Sequence, residues 1–100
     1  MILAVFLSLL LSIPSAQEAY SGKCEGDTVD GVKQGYWKCY YEDGTLREEG
    51  NYKDGNKTGH WKFYHTTGTV AMEGDYQNNQ ESGTWTVYDE SGNPIDTIAY

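Results

Sequence analysis

From Glu25 to Tyr100 the chain repeats itself every 24 residues. Gly35, Gly59 and Gly83 are in step. So are Trp37, Trp61 and Trp85; Tyr40, Tyr64 and Tyr88; and Gly44, Gly68 and Gly92. The second half of the unit repeats too, with Leu46 and Val70, Glu49 and Glu73, Gly50 and Gly74, and Tyr52, Tyr76 and Tyr100. A fixed period of this length reads as an array in which each unit buries its face only against its neighbours. Three units cover residues 25–48, 49–72 and 73–96, with a fragment at 97–100.

Each unit reads as a β-hairpin. "YWKCYY" is rich in aromatic residues, "EDGT" is a turn, and "LREEGNY" comes next. Asp-Gly between two such runs is a strong hairpin signal, because the turn needs positive φ. Thr67-Gly68 and Ser91-Gly92 are weaker versions of it. The polar stretches "KDGNKTG" and "QNNQESG" read as loops joining neighbouring strands. No stretch after residue 16 spaces its apolar residues as a helix does. The expected fold is all-β: an elongated single antiparallel meander sheet of stacked hairpins, with six or seven strands.

A two-residue turn at Asp43-Gly44 sets Trp37 across from Gly50. Because side chains alternate, Trp37, Cys39, Tyr41, Leu46, Glu48, Gly50 and Tyr52 then share the more apolar face. A three-residue turn with a bulge at Gly44 instead moves Leu46 and Tyr52 to the other face. Glycine opposite tryptophan lets an indole ring lie over a residue with no side chain. Trp37, Trp61, Trp85, Gly50, Gly74, Tyr52 and Tyr76 are therefore the expected repeat core. Tyr40, Tyr64 and Tyr88 form a second row on the opposite face. They are a candidate ligand platform, or they pack against neighbouring strands and loops.

Cys24 occupies the repeat position of Glu48 and Met72, and Cys39 that of Phe63 and Val87. An even cysteine count in an exported chain suggests a disulfide, with free thiols as the alternative; if the two residues bond, they are cross-strand neighbours on the Trp37 face. That favours the two-residue turn.

The net charge of −8 argues against nucleic acid and anionic lipid as partners, since both need a basic surface. His60 and His65 lack the companions of a zinc site. "DTVDG" and "KDGN" lack the ligand count of a calcium loop, so no metal or cofactor is expected. Glu49 and Glu73 recur in step, which suits a structural role, pairing with Lys or Arg or accepting a backbone hydrogen bond, better than catalysis. No nucleophile–histidine–acid set stands out, and the chain does not read as an enzyme. Asn56-Lys57-Thr58 is a glycosylation sequon in an expected loop.

The pattern G-x-W-x-x-Y-x-x-x-G-x-(L/V)-x-x-E-G-x-Y resembles the MORN repeat in its bacterial variant form, over about three copies from Glu25 to Tyr100. The resemblance implies an elongated sheet of hairpins and a binding, scaffolding or assembly role, with membrane phospholipid contact in some members. It supplies no catalytic residues. "GYWKCYYEDG" also resembles aromatic repeats of cell-wall and choline-binding proteins, whose unit is shorter and lacks the "EGNY" half.

Residues 2–13, "ILAVFLSLLLSI", are uncharged and almost wholly apolar. The run is shorter than the roughly 20 residues a spanning helix needs but has the length of a signal-peptide core. Cleavage after Ala16 leaves a mature domain at 17–100. An uncleaved anchor or a buried core helix is the alternative. The sequence thus reads as a secreted or periplasmic, non-catalytic module that binds an unidentified protein or acts as a scaffold. The competing reading is a carbohydrate- or envelope-binding module. Pro94 and Asp96 blunt the last strand, which suggests a monomer with an exposed C-terminal edge.

Overall fold

The computed structural model describes residues 22–100; the segment read as a signal peptide, 1–16, lies outside the described residues. Seven strands run in order: β1 (Cys24–Val29), β2 (Val32–Tyr40), β3 (Leu46–Lys53), β4 (Asn56–Tyr64), β5 (Val70–Gln77), β6 (Gln80–Tyr88) and β7 (Pro94–Ala99). They form one antiparallel sheet, β1 to β7 in sequence order, which is the expected meander. The sheet is a single open layer, 57 × 38 × 17 Å.

The turns are distributed in the reverse of the expected way. The stretches expected as loops are mostly strand, because their reversals need only two residues. Lys53 pairs with Asn56, and Gln77 with Gln80. Between them, Asp54 and Gly55 have φ of 52° and 84°, and Asn78 and Asn79 have 52° and 72°. Positive φ at both positions marks the type I′ turn, whose twist matches the flanking strands. The sequon at Asn56 accordingly begins β4 instead of lying in a loop.

The Asp43-Gly44 tip is a three-residue turn. The Tyr41 amide donates to the Thr45 carbonyl at 2.7 Å and the Gly44 amide to the Tyr41 carbonyl at 3.0 Å, with Gly44 at φ 93°. Leu46 therefore pairs with Tyr40, on the face away from Trp37, and Val70 pairs likewise with Tyr64. This corrects the two-residue turn and the placement of Leu46 with the tryptophans. Arg47 is then an extra residue. It restores the expected register beyond it, Cys39 with Glu48 and Trp37 with Gly50. Two local irregularities cancel, so Tyr52 stays on the Trp face.

A wider break lies between successive hairpins. Glu49 pairs with Lys62 but Asn51 pairs with Thr58, so Gly50 faces a bulged Gly59–Trp61 stretch. The bulge adds two residues, and an even number leaves the alternation of faces intact. Cys24 therefore still meets Cys39, and their disulfide ties β1 to β2 with Cα atoms 4.0 Å apart. The same register sets Glu48 opposite Phe63 and Met72 opposite Val87.

Trp37, Cys39, Trp61 and Trp85 form the buried core, with Trp61 and Trp85 each 1% exposed. The tryptophan–glycine pairing holds, but with a different partner from the one expected. Trp37 is in register with Gly50, yet its ring covers Gly26 of the preceding strand. Trp61 covers Gly50 and Trp85 covers Gly74. A β-carbon on Gly50 would fall 2.2 Å from the Trp61 ring. The bulge also frees one carbonyl per unit, which the indole N–H takes. Trp37 Nε1 donates to Asp27 at 3.0 Å, and Trp61 and Trp85 donate to Asn51 and Asp75 at 3.1 Å. Glycine, bulge and tryptophan are one device that satisfies shape and hydrogen bonding together.

Candidate functional site

A sheet without a second layer offers two broad faces. On the Trp face the aromatic rings run in an edge-to-face line: Trp37, Tyr52, Trp61, Tyr76, Trp85, Tyr100, with centroids 5.1 to 6.1 Å apart. Such contacts add to the stabilisation from burial alone. Phe63 bridges Trp61 and Trp85 at 6.2 and 6.0 Å. Two lysines lie on this line. The Lys33 ammonium is 5.0 Å from both the Trp37 and Tyr52 rings, and the Lys57 ammonium is 4.8 Å from Trp61 and 5.1 Å from Tyr76. These cation–π contacts were missed from sequence, although Lys33 and Lys57 are themselves in step.

The opposite face carries Tyr40, Tyr64 and Tyr88, each half-buried. Their hydroxyls are committed to the in-step glutamates of the preceding strand. Tyr40 bonds Glu25, Tyr64 donates to Glu49, and Tyr88 donates to Glu73 at 2.6 Å. The second carboxylate oxygen is held as well. Tyr36 donates to Glu49, and His60 Nε2 lies 2.8 Å from Glu73. The glutamates bond tyrosine and histidine instead of the expected Lys, Arg or backbone groups, with Lys38 and Lys62 as cross-strand neighbours. Tyr36 and His60 share a repeat position, and that recurrence was the available signal for their role.

The electrostatics arise from these contacts. For Glu49, burial pushes the pKa up, but hydrogen bonds from Tyr36 and Tyr64 and the charges of Lys38 and Lys62 outweigh it and hold it down. Burial, then the Glu49 hydrogen bond and charge, raise Tyr36 to about 12. For Glu73 the hydrogen bond from His60 comes first among the causes that lower its pKa. His60 is raised by the hydrogen bond to Glu73, with Asp75 adding to it from 3.0 Å at Nδ1. Two carboxylate acceptors call for an imidazole protonated at both nitrogens.

At the hairpin tips, Tyr41 donates its hydroxyl to the Tyr64 carbonyl at 2.6 Å, and His65 Nε2 lies 2.9 Å from the Tyr88 carbonyl. These contacts staple one hairpin to the next. A shallow groove of about 380 Å³ lies nearby, lined by Gly68, Thr69, Val70, Glu73, Tyr88 and Gly92. Its one carboxylate, Glu73, already holds Tyr88 and His60. Among the described residues, no group of three or more His, Cys, Asp or Glu side chains is placed to hold a metal ion.

A family model described as the MORN repeat variant matches residues 33–54 and 57–78. Residues 33–78 carry two MORN variant repeats. The two matched MORN units each run from Lys33 or Lys57, through a Trp and a hairpin tip, to the turn beyond Tyr52 or Tyr76. MORN repeats of this kind suggest a protein-binding or scaffolding module. No curated protein matches the chain.

Proposed function

We propose that this chain is a non-catalytic protein-binding or scaffolding module of an exported protein. The observation that carries the reading is the division of labour within the repeat. The in-step Trp, Gly, Tyr and Glu side chains are engaged with one another, building the sheet. Variation falls where side chains differ between units: Tyr36, His60 and Thr84 on one face, Glu48 and Met72 on the other. A flat single layer with its invariant parts locked internally suits recognition of a partner surface. The Cys24–Cys39 disulfide fits an oxidising compartment, and the apolar run at 2–13 fits export.

Capture from the native source tests the reading. The secreted protein should retain a protein partner, and a Tyr40→Ala/Tyr64→Ala variant that still folds should retain less of it if the tyrosine row takes part. Equal capture by both removes that row from the binding surface. Retention on isolated envelope glycans, competed by free sugar, would replace the protein reading with the carbohydrate one. Export has its own check. Mass spectrometry of the secreted species should give a start near Gln17 and a mass two hydrogens light; a full-length reduced species contradicts both.

A further inference from the structure

The three Trp–Tyr pairs of the aromatic line have nearly one geometry. Trp37–Tyr52, Trp61–Tyr76 and Trp85–Tyr100 have centroids 6.1, 6.0 and 6.1 Å apart at interplanar angles of 80°, 80° and 74°. In the first two an ammonium group sits about equally far from both rings, Lys33 and Lys57 respectively. The third unit has Glu81 at that position. Glu81 keeps the same register, opposite Tyr76 as Lys57 is opposite Tyr52, and its charge is felt at Tyr76.

The third unit therefore keeps the aromatic pair and replaces the lid cation with a carboxylate. Every Lys and Arg of the chain lies at or before residue 62, whereas Glu73, Asp75, Glu81, Asp89, Glu90 and Asp96 lie beyond it. The C-terminal part thus has strong acidic excess and no basic side chain of its own to fill the place. Tyr100 is 58% exposed and Glu81 is exposed, whereas Trp85 is only 1% exposed. An incoming cation thus approaches from the Tyr100 side, with Trp85 beneath.

We propose that Glu81 and Tyr100, with the buried Trp85 ring beneath them, form a receptor for a lysine side chain of a basic protein partner, which completes the third unit as Lys33 and Lys57 complete the first two. The proposal rests on the protein-binding reading and gives it a partner chemistry. The ring quadrupole attracts the ammonium, and the Glu81 carboxylate supplies the opposite charge, as Glu48 does for Lys57 at 3.7 Å in the second unit. A paired carboxylate and aromatic face also reject an acidic segment.

Tetralysine peptide is the probe, titrated at physiological salt into the isotope-labelled protein and read by NMR. Shifts should concentrate at the Trp85 indole N–H, Tyr100 and Glu81. The Glu81→Lys variant fills the place from within, so it should stay folded and lose the response. Glu90→Lys makes the same charge change at a hairpin tip and should keep it. An unchanged response in Glu81→Lys, or equal loss in both variants, overturns the site, the second because net charge alone would then explain binding. Phosphatidylcholine vesicles that shift these resonances where tetralysine does not would also overturn it, in favour of a lipid headgroup. None of these results touches the protein-binding reading, which depends on the capture comparison.

Discussion

Gly50 and Gly59 do different work, and alanine separates them. At Gly50 a β-carbon meets the Trp61 ring at 2.2 Å, so Gly50→Ala must displace the core indole. Overpacking of this kind costs about 1–3 kcal/mol. At Gly59 a β-carbon meets nothing within 4 Å, and the cost is only that of φ +70°, about 1–2 kcal/mol. Denaturant unfolding should show both losses, and only Gly50→Ala should also change the tryptophan fluorescence of the native state. His60 adds a pH dependence. Its pKa is raised from 6.5, so its stabilising contribution is complete below that value and is lost as pH rises through the raised one. Glu49 and Glu73 are lowered from 4.5. Their contributions are present above that value and disappear as pH falls through the lowered ones. Melting temperature should therefore fall on both sides of a plateau. His60→Gln should flatten the alkaline limb; an unchanged limb would show that the histidine clamp does not contribute. The tryptophan–glycine pairing was legible at this scale because both residues recur. Which glycine each ring covers was not, because that depends on a bulge whose only trace is Gly35, Gly59 and Gly83 in step.

Among the elements, β1 depends most on a single link. It is an exposed edge strand, held by its ladder to β2, by Trp37 lying over Gly26, and by the disulfide. Closing a loop of 15 residues is worth roughly 3 kcal/mol in the chain-entropy model. Cys24→Ser/Cys39→Ser should lose stability on that order, with β1 amides exchanging with solvent ahead of those of β3 to β6. Uniform exchange across the sheet would mean that β1 holds without the bond. The strand count, order and cysteine pairing were readable from the period and from alternation. The turn types were not. "EDGT" and "KDGN" both carry Asp-Gly, and the residue after the glycine separates them. Thr45 closes a three-residue tip on Tyr41, whereas Asn56 pairs directly with Lys53. The tyrosine row was placed on the correct face, but its attachment to the glutamates needs a register between units that neighbouring residues do not reveal.

At the scale of the whole molecule, the sheet is long for its mass. Its radius of gyration is 17.2 Å, against about 13 Å for a compact globule of 100 residues. X-ray scattering of residues 22–100 should give the larger value with an anisotropic distance distribution; a value near the globular one would mean that the sheet folds over or is covered. The borrowed glycine has a further consequence for how such a chain can change length. Each 24-residue unit brings an indole together with the glycine of the strand before it that seats that indole, while Ile98 stands where the next docking glycine would be. Removing residues 49–72 would join Glu48 to Glu73 and leave Trp37 on Gly26 and Trp85 on Gly74, every ring still seated. Duplicating the same 24 residues would add one ring and one seat together. An insertion or deletion of one period is thus self-healing where it leaves the Cys24–Cys39 bond in place, whereas growth past Ile98 first requires that residue to become glycine. The architecture tolerates internal gain and loss of whole units.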